Sequence, residues 1–144
     1  METVVFEVPG EPIGKARPRV VDGRAYTPNK TKAYEQAVRL AYKQAVKDRP
    51  EGERFWGADV MLSVQIAAFY QVPKKVSREM KAAMLKHKER PRKKPDLDNV
   101  LKIVSDALNG LAYHDDSQIV YMDACKYWTE TPCVWVTISE VHPK

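Results

Sequence analysis

Residues 94–119, KPDLDNVLKIVSDALNGLAYHDDSQI, constrain this chain more than any other stretch. They hold Asp96, Asp98, Asp106, Asp115 and Asp116, with Lys102 among them, in a chain whose net charge is positive. The spacing predicts a helix from Asp96 to Gly110. Leu97, Val100, Leu101, Val104, Leu108 and Leu111 recur at three- and four-residue steps, which gathers them on one apolar face. Asp98, Lys102, Asp106 and Asn109 fall on another face. Asn109-Gly110 is a helix stop, because glycine accepts the left-handed conformation there.

The carboxylates need a reason. Asp96 and Asp98 stand where the helix begins, and the plain reading is that they cap it and complement its dipole. Asp115-Asp116 follows after a short turn, ahead of a run from Gln118 to Trp128 that reads as a strand. An Asp-Asp pair in a turn is ordinarily just a turn. If the fold brings the helix start and the strand start together, the carboxylates repel one another and either take up protons or bind a cation. A set of oxygen ligands suits Mg²⁺ or Mn²⁺, not zinc.

The ordered motifs K-P-D-x-D-N, then Lys102, then D-A-L-N-G, then D-D-x-Q-I resemble the RusA-type Holliday junction resolvases, a family of crossover junction endodeoxyribonucleases. The core of the likeness covers residues 94–119, and a weaker likeness extends to KARPR and YTPNKTKAYE near the N-terminus. The resemblance implies a single RusA-like endonuclease domain over residues 1–144. It implies a homodimer that requires Mg²⁺, with Mn²⁺ able to substitute. Such an enzyme resolves four-way DNA junctions by paired symmetric nicks in recombination and repair. Carried over by position, Asp96, Asp98 and Asp116 are the catalytic carboxylates and metal ligands, Asp115 is a further candidate ligand, and Lys102 is the essential lysine. Asp106 also matches an acidic position. The basic segment 71–94 is longer than in the shortest family members, so no contacts are carried over onto it.

Charge distribution agrees with a nucleic-acid substrate. Between Lys74 and Lys94 there are ten Lys or Arg residues against Glu79 and Glu89, and Lys15, Arg17, Arg19 and Arg24 form a second cluster. Lys15, Arg17 and Arg19 alternate along residues 9–25, which read as a loop punctuated by proline and glycine. In extended backbone the three lie on one side, as a phosphate-contacting strip would require. Arg92, Lys93 and Lys94 carry positive charge to the threshold of Asp96. These six residues are the candidate DNA contacts, and basic patches around an acidic pocket are what a metal-dependent nuclease needs. The plain alternative is that the charges only solvate a surface. Cys125 and Cys133 are the only cysteines and form no C-x-x-C, so zinc is not expected, and they read as buried free thiols in a reducing cytosol. No signal peptide or membrane-spanning run is expected. The expectation is a cytoplasmic protein on nucleoid DNA, host- or prophage-encoded, with branched DNA and a second copy as partners and no membrane or organic cofactor.

The order of elements is strand (Thr3–Val8), helix (31–47), strand (60–69), helix (77–88), the central helix, and strands over 118–128 and 133–139. Thr31 and Ser77 are the expected caps. A chain of 144 residues fits one compact domain. The order predicts an α/β (α+β) fold with a mixed four-stranded sheet and packed helices. Three rivals stand beside the resolvase reading. A PD-(D/E)xK nuclease fits poorly, because Asp123 to Lys126 has one residue too many. A phosphohydrolase of small nucleotides lacks a glycine-rich phosphate loop. A non-catalytic DNA-binding module would use the basic segments and leave the carboxylates structural.

Overall fold

The structure is a computed structural model that describes residues 2–16, 19–26 and 29–143. Arg17 and Thr27-Pro28 lie outside the described residues, as do the side chains of Arg19 and Tyr26. The elements are β1 (Thr3–Pro9), β2 (Arg19–Val21), β3 (Arg24–Tyr26), α1 (Asn29–Val46), β4 (Leu62–Gln71), α2 (Arg78–Leu85), α3 (Leu97–Ala107), β5 (Ile119–Thr129) and β6 (Cys133–Glu140). Short 3₁₀ turns occupy Glu51–Glu53 and Asp116–Gln118.

Four strands form one sheet in the order β1-β6-β4-β5. Only β4 and β5 run parallel, while β1 and β4 both pair antiparallel with β6. The sheet is therefore mixed and the class α+β, as the element order predicts. Alternation explains its faces. Register places Val4 opposite Ile138 and Ile138 opposite Val64, with Phe6, Val136 and Ile66 forming the next row. All six are buried, and α1 closes over them with Tyr34, Val38, Tyr42 and Val46 at four-residue steps. Phe6 and Tyr42 meet edge to face at 5.8 Å. Helix α3 packs beside α1, turning Val100, Ile103, Val104 and Ala107 into the same core.

Several expectations are corrected. Residues 9–25 are not a plain loop, because β2 and β3 make a two-stranded hairpin. Its turn is Asp22-Gly23, with φ of 51° and 76°, the Asp-Gly signature of a tight hairpin turn. Helix α1 begins at Asn29, so Thr31 lies inside it, 1% exposed, and does not cap its start. Ser77 does cap α2, accepting a 3.1 Å hydrogen bond from the Met80 amide, but α2 stops at Leu85 and Met80 faces solvent. Helix α3 ends at Ala107, and Gly110, at φ 75°, takes the left-handed position just beyond. Of the two cysteines, Cys133 is buried but Cys125 is only half-buried; both are free. Among the described residues no helix is long and apolar enough to cross a membrane.

Topology sets where the site residues fall. Leu62 pairs with Ile119 and Tyr70 with Trp128, so β4 and β5 begin at one end of the sheet and finish at the other. The chain leaves the far end of β4, passes through α2, and returns along α3 to the near end, where β5 starts.

Candidate active site

At the far end stands the head of α3. Asp96 occupies the N-cap with extended backbone, φ −68° and ψ 151°, yet its side chain makes no capping hydrogen bond. An N-cap aspartate ordinarily spends its carboxylate on the amides of the first turn. Here only its backbone carbonyl is engaged, by the Asn99 and Val100 amides at 3.1 Å each. Asp98 and Lys102 are exposed one turn apart on the solvent side of α3. Neither takes part in an ion pair among the described residues, so the surface salt bridge that their four-residue spacing allows is not formed.

The head of α3 is clamped from two sides. The Tyr70 hydroxyl donates to the Pro95 carbonyl at 2.7 Å. Burial pushes the Tyr70 phenol up to about 12, and the Glu11 and Asp96 carboxylates add to the shift. From the other side, the Lys15 amide donates to the Asn99 carbonyl at 3.0 Å. Gly14 lies so close that an added Cβ would stand 2.8 Å from the Pro95 Cβ and 3.0 Å from the Asn99 Cβ. A cleft runs between this loop, the start of α1 and the head of α3, with Lys30, Lys94, Asp96 and Asn99 in its lining.

The second acidic group sits at the other end of α3. Burial pushes the Tyr113 phenol up most, and the negative charges of Asp116, Asp106 and Asp115 further oppose its ionisation. Tyr113 donates to the Ser105 carbonyl at 2.7 Å. Asp115 caps the 3₁₀ turn. Its carboxylate accepts the Ser117 amide at 3.0 Å, while the Gln118 side chain accepts the Asp115 amide at 3.0 Å, which completes a capping box. The Ser117 hydrogen bonds hold the Asp115 carboxyl below its usual range. Gln118 also donates to the carbonyls of Gly57 at 2.7 Å and Val60 at 3.1 Å, tying the turn to the chain ahead of β4. Asp116, half-buried, begins the turn beside it.

Asp96 therefore stands at the head of α3 and Asp116 in the turn that follows its other end, and the helix between them rises roughly 16 Å at about 1.5 Å per residue. Asp96, Asp98 and Asp116 form no group at metal-ligand distance among the described residues. Among the described residues, three potential ligand atoms lie within 4.8 Å of one another only at Glu2, Glu140 and His142.

The candidate DNA contacts divide. The Lys15 side chain is only 21% exposed, and its ammonium pairs with Glu35 at 3.3 Å and Asp106 at 3.6 Å, so it ties its loop to α1 and α3 rather than standing in an open strip. Arg92 is well exposed and pairs with Glu89 at 3.0 Å. The Lys93 ammonium lies 5.8 Å from the Trp128 ring and 6.0 Å from the Tyr70 ring, while Lys94 is exposed on the cleft. Sequence reasoning missed Lys30, whose place in the cleft depends on how α1 meets α3. It also missed Lys126, which donates to the Lys93 carbonyl at 2.6 Å across the sheet end.

The structure is that of an α+β protein with an exposed carboxylate and lysine group at a clamped helix head, beside a basic collar. The comparison with known families agrees over almost the whole chain. This chain belongs to the RusA family: the family model, described as Endodeoxyribonuclease RusA, matches residues 9–139. A relative in Bacillus subtilis (strain 168), described as the uncharacterized protein YqaN, is 38% identical over 147 residues, covering 98% of this chain and 99% of its own length.

Proposed function

We propose that this chain is a Mg²⁺-dependent endodeoxyribonuclease that resolves four-way DNA junctions as a homodimer, in recombination and repair, with Asp96, Asp98, Asp116 and Lys102 as its catalytic group. One observation carries the reading: the Asp96 carboxylate stands at an N-cap without capping, beside Asp98 and Lys102, which form no ion pair among the described residues. A residue type suited to capping that does not cap is available for another partner.

The donor set fits a hard divalent cation. Asp96, Asp98 and Asp116 offer oxygen alone, which suits Mg²⁺ or Mn²⁺. Asp115 is the weaker candidate, because Ser117 already engages its carboxylate. Bound there, the ion would supply Lewis-acid charge to polarise the scissile phosphate and lower the pKa of a water. Lys102, one turn beyond Asp98, would stabilise charge on the phosphoryl oxygens. Lys30, Lys93, Lys94 and Arg92 would hold flanking phosphates, and Lys15 would position its loop.

Dimerisation follows from substrate and site alike. A four-way junction has two-fold symmetry, and a two-fold dimer offers two sites to symmetric strands. One chain keeps its two acidic groups at opposite ends of α3. Two copies can set the Asp116 end of one against the Asp96–Asp98 end of the other, and do so twice.

The test is cleavage of a synthetic four-way junction against linear duplex of the same sequence, with Mg²⁺ and with EDTA. Paired symmetric nicks in the junction with Mg²⁺ alone are expected. Tight junction binding without cutting in Mg²⁺ or Mn²⁺ would return the carboxylates to structural work and leave a DNA-binding module.

A further inference from the structure

The charge of this molecule is concentrated in one segment. Residues 74–94 hold ten of the 24 Lys and Arg and two of the 19 Asp and Glu, so they carry +8, and the remainder, with 14 basic and 17 acidic residues, carries −3. Outside that segment the chain has no net positive charge to offer a phosphate backbone.

The segment is built rather than merely solvated. Ser77 caps α2 at its start. At its end the Lys88 amide donates to the Ala83 carbonyl at 3.0 Å and the His87 amide to the Met84 carbonyl at 3.1 Å, the paired bonds of a left-handed helix stop. His87 occupies the position usually given to glycine, at φ 64°. Its ring lies 4.4 Å from the Tyr127 ring, the Arg90 guanidinium lies 4.6 Å from the same ring, and Tyr127 stacks on Phe69 at 5.1 Å. Lys81 pairs with Glu130 at 2.8 Å, fixing α2 to the β5–β6 turn. A charge run that served only solubility would not require so many attachments to the sheet.

Within this docked segment is a cleft whose lining includes Lys74, Ser77, Arg78, Lys81 and Glu130. Three cations face one carboxylate, and that carboxylate is already engaged by Lys81. Gln71 and Val72 also line the cleft, immediately after Tyr70, the residue that holds Pro95. The cleft thus opens at the end of the sheet where Asp96 stands. We propose that it is a phosphodiester-binding site that grips the backbone of a duplex arm leaving the cleavage point. This rests on the nuclease reading above and extends it to a second contact with DNA. Lys74 and Arg78 are the phosphate-contacting residues, Lys81 with Glu130 holds the cleft in shape, and Arg92 to Lys94 bridge to the active site.

The experiment compares wild type with a Lys74→Gln/Arg78→Gln variant in binding a four-way junction and a linear duplex, in EDTA, across a salt series. Neutralising two phosphate contacts should make the slope of log affinity against log salt shallower by about 1.8. A Lys43→Gln/Lys47→Gln control at the far end of α1 should leave the slope unchanged. Trimming the junction arms should weaken wild type and leave the double variant nearly indifferent. Thermal unfolding and the single change Lys74→Glu, outside α2, guard against misfolding. A folded double variant with wild-type slope and wild-type arm-length dependence would overturn the site. If the slope changes as expected but wild type cuts no junction with Mg²⁺, the site stands and the resolvase reading falls.

Discussion

The phenol of Tyr70 donates a 2.7 Å hydrogen bond to the carbonyl of Pro95, the residue before Asp96. Through this bond the end of β4 fixes the height and angle at which α3 begins. Tyr70→Phe keeps the ring and leaves that carbonyl without its donor, which costs about 1–3 kcal/mol where the group stays dry. A displacement near 1 Å at a reacting group can cost about a hundredfold in rate. The expected outcome is a folded variant with a modestly lower denaturant midpoint and single-turnover nicking reduced by about tenfold or more. Wild-type nicking in that variant would show that the clamp does not position Asp96.

Gly14 is the opposite clamp, and its requirement is space. A methyl group would stand 2.8 Å from the Pro95 Cβ and 3.0 Å from the Asn99 Cβ, both on backbone-proximal atoms that cannot swing aside. Gly14→Ala should therefore destabilise by about 1–3 kcal/mol. It should also lift the Lys15 loop from α3 and break the Lys15–Asn99 backbone bond. Urea unfolding gives the first effect, and amide exchange at Lys15 gives the second. An unchanged midpoint would mean that the loop yields freely.

The core contains phenols held against ionisation, and this sets an alkaline limit. Burial pushes Tyr42 and Tyr70 up to about 12 and raises Tyr34 and Tyr113 further still. In the unfolded chain a tyrosine ionises near 10. A raised folded pKa contributes stability that is complete below the unfolded value and lost as pH rises through the folded one. The urea midpoint should therefore hold steady to about pH 9 and fall between about pH 10 and 12. A flat midpoint across that range would refute the assignment.

Much of this was legible in the sequence, and the losses have physical causes. The apolar period of residues 97–108 located α3, and alternation located β1, β4 and β6, because a face buried on one side leaves a regular trace. Asp22-Gly23 is a legible turn signal, but Pro9, Pro12 and Pro18 give the whole of residues 9–25 the signature of a loop, and two three-residue strands are too short to show an alternation of their own. The distinction between Asp96 and Asp115 was not legible at all. Both are aspartates in cap positions, and only the amides around them decide that Asp115 caps and Asp96 does not. Likewise no spacing rule reports that β4 and β5 run parallel, so that the chain returns along α3 with Asp96 at its head and Asp116 beyond its end.

That distinction separates stability from activity. Asp115→Ala removes the acceptor of the Ser117 amide and opens the capping box, so it should lower the melting temperature while leaving nicking measurable. Because the folded Asp115 pKa is depressed, its contribution is present above the unfolded carboxylate value near 4 and lost as pH falls through the folded value. The melting-temperature gap between wild type and variant should accordingly close in acid. Asp116→Asn should behave in the reverse sense, with near-native melting and abolished nicking. Abolished nicking in a folded Asp115→Ala protein would instead make Asp115 a ligand.

The separation along α3 leads to the sharpest test. If each active site joins the Asp96–Asp98 end of one copy to the Asp116 end of its partner, defects in different copies can complement. In a mixed dimer of Asp98→Asn and Asp116→Asn copies, one site receives both damaged residues and the other receives neither. Each parent alone should be inactive, and co-refolding at equal amounts should restore about a quarter of the wild-type sites, all in mixed dimers. Since each such dimer has one working site, the product should be single nicks rather than paired ones. If all the carboxylates of a site came from one chain, every site in the mixture would carry a defect. Co-refolding would then restore nothing, so the mixed dimer measures whether a lone copy of this chain can assemble a complete site.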